Sequence, residues 1–169
     1  DVRELLLPQH GNRVHLLYSK GGQGAATITP SELIASTLRM KPDRVLLAEL
    51  RGGEAFDFLK LLTTGHSGSI TSYHAESCAL AAERYVFMCK EHPQAATYDV
   101  PTLKRLVALT LDVILHVVDV SHPAWRQRVE TVNGVLAELE ASERPTLVVC
   151  NKWDLVKTET PPVDGIAVS

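Results

Sequence analysis

The stretch RVLLAELR, residues 44–51, decides how this chain folds. Val45, Leu46, Leu47 and Ala48 form a continuous apolar run, the mark of a strand buried on both faces, and the run ends on an acid, Glu49. Runs of the same kind recur at 13–19, 69–73, 113–119, 146–150 and 165–169. Helical patterns fill the intervals at 30–39, 53–64, 77–90, 100–110 and 123–141. Such alternation predicts an α/β fold in three layers, a mainly parallel sheet flanked by helices. Boundary chemistry agrees: Thr29 precedes Pro30 as a cap at a helix start, and Met40-Lys41-Pro42 closes that helix before the next strand.

Composition narrows the class. With 169 residues, 45% of them hydrophobic, the chain suffices for one compact unit or two small ones. A net charge of -3 argues against a general DNA-binding or anionic-membrane surface, which rests on a basic excess. The three cysteines, Cys78, Cys89 and Cys150, have no metal-ligand spacing and read as small apolar core residues of a reducing compartment, so no metal site and a cytoplasmic location are expected. No apolar run reaches the roughly 18 residues of a membrane span. The opening DVRELLLPQ has no leader pattern, and the chain reads as a fragment.

Chemistry concentrates at strand ends. A carboxylate such as Glu49 at the carboxyl end of a parallel strand can polarise water or reach a magnesium ion through water. Around the strand at 69–73, His66 precedes and His74 follows, so His74 is expected on the same edge as Glu49 and His66 on the other. A histidine at that edge can hydrogen-bond a terminal phosphate. The KGGQG stretch at 20–24 reads as a turn, since its spacing fits neither phosphate loop nor dinucleotide fingerprint. NKWD at 151–154 follows an apolar strand and reads either as a turn or as a guanine-reading motif. No Gly-x-x-x-x-Gly-Lys-Ser/Thr occurs between Asp1 and Ser169, so the loop that would hold nucleotide phosphates is not among these residues.

Two resemblances follow. NRVHLLYSKGGQG (12–24), TPSELIASTLRMKPDRVLLAELRGGEAFDFL (29–59) and TGHSGSITSYHAES (64–77) together resemble the hexameric ATPases of type IV secretion, within the wider secretion and pilus-retraction ATPase family. By that resemblance Glu49 is the acid of the Walker B element and 65–75 the histidine box, with His74 sensing the nucleotide. Asp1 is the last residue of an acidic box. Arg39 and Arg51 fall near the site or a subunit boundary, or else serve as ordinary salt-bridging residues; His66 is a further phosphate or boundary candidate. The second half, DVILHVVDVSHPAWRQRVETVNGVLAELE (112–140) with RPTLVVCNKWDL (144–155) and PPVDGIAVS (161–169), resembles the carboxyl-terminal part of the G domain of HflX-type GTPases. That resemblance assigns guanine contacts to Asn151, Lys152 and Asp154, with Ser169 opening a second guanine loop.

The two resemblances meet within TLDVILHVVDV (110–120), which implies a chimera of two P-loop NTPase-like parts, a RecA-like fragment at 1–112 continued by a G-domain fragment at 113–169. Because no Gly-, Ser- or Pro-rich linker separates them, one continuous compact domain is expected, with the strand at 113–119 central in a shared sheet. The leading functional expectation is a nucleotide-binding fold without hydrolysis on its own, with weak guanine preference. Two alternatives stand beside it: a type IV secretion ATPase subunit whose Walker A segment is missing from the chain, and a structural or interaction module that binds no nucleotide. Magnesium with ATP or GTP is the implied cofactor if the parental sites work, and a homo-oligomer the implied assembly.

Overall fold

A computed structural model describes residues 5–18, 28–156 and 165–168, the side chains of 78 and 79 excepted. Helix α1 spans Pro30–Arg39, β1 Leu46–Leu47, α2 Glu54–Thr63, β2 Ile70–Thr71, α3 Cys78–Lys90 and α4 Val100–Thr110, with a 3-10 turn at Pro93–Thr97. β3 (Ile114–Asp119), α5 (Trp125–Glu138), β4 (Thr146–Asn151), a 3-10 turn at Trp153–Leu155 and β5 (Ile166–Ala167) complete the order. All pairings are parallel, β1 with β2, β3 with β4 and β4 with β5. The protein is therefore α/β, parallel strands flanked by helices, as the alternation predicts.

Local chemistry starts the helices. Thr29 and Glu32 form a reciprocal capping box at α1, with Pro30 in the first turn. Ser77 and Asp99 cap α3 and α4 by accepting from the Leu80 and Thr102 amides. At the end of α3 the Lys90 ammonium donates to the carbonyls of Ala95, Ala96 and Tyr98, which ties the following turn back onto the helix.

Two expectations need correction. The described strands form a two-stranded sheet, β1-β2, and a separate three-stranded sheet ordered β3-β4-β5. The strand at 113–119 is thus an edge strand, not the centre of a shared sheet, and no described ladder crosses residue 113. The halves meet instead through a side chain and through helices: Arg144 donates to the Leu109 carbonyl at 3.1 Å, and α3 touches α5. Residues 13–18 form no strand among the described residues, because their apolar side chains, Val14 and Leu17 among them, are exposed and no neighbouring strand accepts their backbone. KGGQG lies outside the described residues.

Two apolar clusters follow the two sheets. The larger is built from Leu50, Phe56, Phe58, Leu59, Tyr85, Met88 and Leu103, with Cys89 wholly enclosed. The smaller joins Val118, Val120 and Cys150 to Trp125 at the start of α5. Strand alternation explains a third feature: Leu115 and Val117 on β3 point away from α5 and remain exposed, as does Leu147, the partner of Leu115 on β4.

Candidate functional site

The β1-β2 ladder aligns Leu46 with Ile70 and Leu47 with Thr71. Beyond it the Leu50 amide donates to the Ser72 carbonyl at 2.8 Å, and the Ser72 hydroxyl donates to the Ala48 carbonyl at 2.6 Å. Two parallel strands tied at this end necessarily deliver the residues that follow them to one edge. Glu49 and His74 meet there, His74 Nε2 lying 3.2 Å from Glu49 Oε1. His66 lies at the opposite end, in the turn before β2, where its carbonyl accepts from Ser69 Oγ at 2.8 Å.

Arg51 completes the cluster. In an extended chain residues two apart share a face, so Glu49 and Arg51 point outward while Leu50, between them, is buried. Arg51 donates to Glu49 Oε2 through Nε at 2.6 Å and Nη2 at 2.5 Å. The Glu49 carboxylate is thus held by a guanidinium on one oxygen and faced by an imidazole on the other. Its side chain is 20% exposed, against 93% for His74, so the acid is sheltered and the histidine stands in solvent. Arg39, the last residue of α1, is exposed and makes no ion pair among the described residues.

Beside His74 opens a groove of about 430 Å³, walled by Leu80 and Phe87 and rimmed by Glu76, Glu83 and Arg84. No group of three or more His, Cys, Asp or Glu suited to a metal occurs among the described residues.

A second set of polar groups lines the carboxyl edge of β3 and β4. Lys152 Nζ donates to Asp119 Oδ2 at 2.6 Å, while the Ser121 amide and hydroxyl donate to Asp119 Oδ1 at 3.1 and 2.6 Å. The Lys152 and Ser121 donors hold the Asp119 carboxyl well below the usual carboxylate range, at about 2. Lys152 adopts the left-handed region, φ 58, and Asn151 Oδ1 accepts from its amide at 2.9 Å. Asn151, Lys152 and Asp154 therefore lie together at this edge. Ser169 and Asp1 lie outside the described residues. Asp119 is the residue that sequence reasoning passed over; its signal was the apolar strand ending on an acid, the same pattern that singled out Glu49.

Parallel strands flanked by helices, with an acid and a histidine on one carboxyl edge, define an α/β protein of the P-loop NTPase-like kind. The chain belongs to the family described as "Type II/IV secretion system protein", which it matches over residues 4–152. It is 44% identical over 134 residues to the type IV secretion system protein VirB11 of Brucella suis, covering 78% of this chain and 37% of that protein. It is 45% identical over 130 residues to PtlH, a type IV secretion system protein of Bordetella pertussis, covering 76% of this chain and 38% of that protein. The crystal structure of the VirB11 ATPase from the Brucella suis type IV secretion system in complex with sulphate superposes with a TM-score of 0.60 at 47% identity, covering 66% of this chain and 32% of that one. The chain thus spans about a third of the length of these relatives. Because the family match extends across residue 113, the comparisons give no support to a GTPase-derived second half or to a chimera. No described helix is long and apolar enough to cross a membrane.

Proposed function

We propose that this chain supplies the water-activating and nucleotide-sensing part of a type IV secretion ATPase. One observation carries the reading: the Glu49 carboxylate sits at the carboxyl edge of a parallel ladder with Arg51 on one oxygen and His74 on the other. Hydrolysis of ATP needs a base or water-positioning group beside the terminal phosphate and donors for the charge that develops there. Glu49 has the placement for the first role and the exposed His74 for the second. The phosphate-holding loop is not among residues 1–169, so the reading requires phosphate-holding groups from elsewhere. Use of a magnesium nucleotide and assembly as a homo-oligomer belong to the same proposal and are supported by family membership.

Replacing the matching segment of the Brucella suis VirB11 ATPase with residues 5–152 of this chain tests the reading. The graft should turn over ATP, and Glu49→Gln should lower turnover by about a hundredfold or more, the scale of a lost general base. A folded graft whose turnover survives Glu49→Gln would overturn it.

A second reading concerns the other edge, where Asn151, Lys152 and Asp154 stand together with Lys152 paired to Asp119. A guanine base could be read there by hydrogen bonds to Asn151 and Asp154, with the wrong base leaving polar groups unpaired. Calorimetry of GDP against ADP, with Asp154→Ala beside the wild type, decides it. Equal binding of the two nucleotides removes the guanine site.

A further inference from the structure

The turn that follows Glu49 is held by a residue without an assigned role. Glu54, the first residue of α2, reaches back so that its Oε1 accepts from the backbone amides of Arg51, at 2.8 Å, and Gly52, at 3.1 Å. The turn is also pressed from behind. A Cβ on Gly52 would come within 2.9 Å of Glu91 Oε2, and one on Gly53 within 3.1 Å of the His92 amide nitrogen. Leu50, 2% exposed, fixes the other end in the core. Between these supports the half-exposed Arg51 side chain reaches back to Glu49, and the backbone it springs from is clamped by Glu54.

We propose that Glu54 is a positioning residue for the Glu49–Arg51 pair, acting through the backbone rather than by touching either side chain. Two charge-assisted bonds to one carboxylate oxygen set the direction in which the Arg51 side chain leaves the chain. That direction lets Nε and Nη2 both reach Glu49 Oε2, which leaves Oε1 turned to His74. With the clamp gone the guanidinium would lose its aim, and Glu49 would lose the group that holds its orientation. The inference rests on the reading of Glu49 as the water-activating acid for its functional meaning, but the coupling itself is independent of any nucleotide.

Nuclear magnetic resonance on the chain as it stands tests the coupling. The side-chain Nε–H signal of Arg51 reports the pair with Glu49, and the exchange of the Arg51 and Gly52 amides reports the clamp. In Glu54→Ala these amides should exchange at least roughly tenfold faster, the consequence of losing bonds to a charged acceptor, and the Arg51 Nε–H should lose its slow exchange with them. Glu54→Gln keeps a carbonyl oxygen in place and should restore both signals. Should Glu54→Ala free the amides yet leave Arg51 Nε–H slow, Glu54 is a helix-start bond alone and the proposal is overturned. If Glu54→Ala does not fold, wild-type exchange along a urea series gives the same answer: one clamp requires the three signals to accelerate together, and independent acceleration refutes it. Glu49→Gln separates the levels, since it should weaken the Arg51 Nε–H signal while leaving both amides protected. ATP turnover of the grafted enzyme that survives Glu49→Gln would remove the functional reading and leave the coupling intact.

Discussion

His116 sits on the inward face of β3, 8% exposed, and burial there disfavours the charged imidazole, lowering its pKa below the ordinary histidine value. The unfolded chain therefore takes up a proton first as pH falls. A group whose charged form is disfavoured in the folded state contributes stability that is present above the unfolded value and drains away as pH drops below it. Urea midpoints should accordingly decline as pH is lowered from about 7 towards 5, the window beneath the ordinary histidine value of roughly 6.5. The decline should flatten in His116→Phe. An unchanged slope in that variant would assign the pH dependence elsewhere. Residues of this kind were hard to read from sequence: alternation along β3 shows that position 116 faces inward, but not how deeply the histidine is buried. Glu49 and His74 were legible because each ends or follows a strand in a parallel arrangement, a geometry that fixes their edge without knowledge of packing. Arg51 was legible only as a candidate, since its bond to Glu49 depends on the turn that Glu54 holds.

The helices were the most legible elements, and α1 shows the reason. Thr29, Pro30 and Glu32 announce its start in the sequence itself, and the structure realises both halves of the box: the Glu32 amide donates to Thr29 Oγ1 at 3.2 Å, and the Thr29 amide to Glu32 Oε2 at 2.7 Å. Thr29→Ala should therefore cost about 1 kcal/mol, read as a shift of the urea midpoint at unchanged slope. Thr29→Ser should recover most of it. A loss confined to the noise would mean that α1 owes its stability to Ile34 and its packing on α2 alone. Strands were less legible for a matching reason: a helix satisfies its own backbone, whereas a strand exists only where a partner accepts it. The apolar run at 13–18 has the composition of a strand without a described neighbour, and the apolar run at 113–119 found its partner in β4, not in the first sheet.

On the scale of the whole molecule, two clusters divide the stability. Leu103 belongs to the larger one and is wholly buried, so Leu103→Ala should cost about 2–5 kcal/mol through lost contacts and the cavity left behind. We expect that cost to register in one region. Hydrogen exchange should accelerate in α2, α3 and α4 while the amides of β3 and β4 keep more of their protection, because the smaller cluster shares no buried residue with the larger. Uniform acceleration would show a single cooperative unit instead. The outward face of β3, by contrast, has little to lose: Leu115, 64% exposed, should tolerate Leu115→Thr within about 0.5 kcal/mol.

The ladders themselves differ in a property that heat and urea do not probe. β3 and β4 run parallel in register over six residue pairs, from Ile114 with Thr146 to Asp119 with Asn151, whereas β1 and β2 share two. Tension drawn along the strands, from the amino end of β3 to the carboxyl end of β4, loads every bond of the longer ladder in shear at once, so that none can part before its neighbours. The same pull across β1 and β2 meets a shorter catch, two pairs lengthened by the bonds of Leu50 and Ser72, and under traction the edge that carries Glu49 and His74 gives way first.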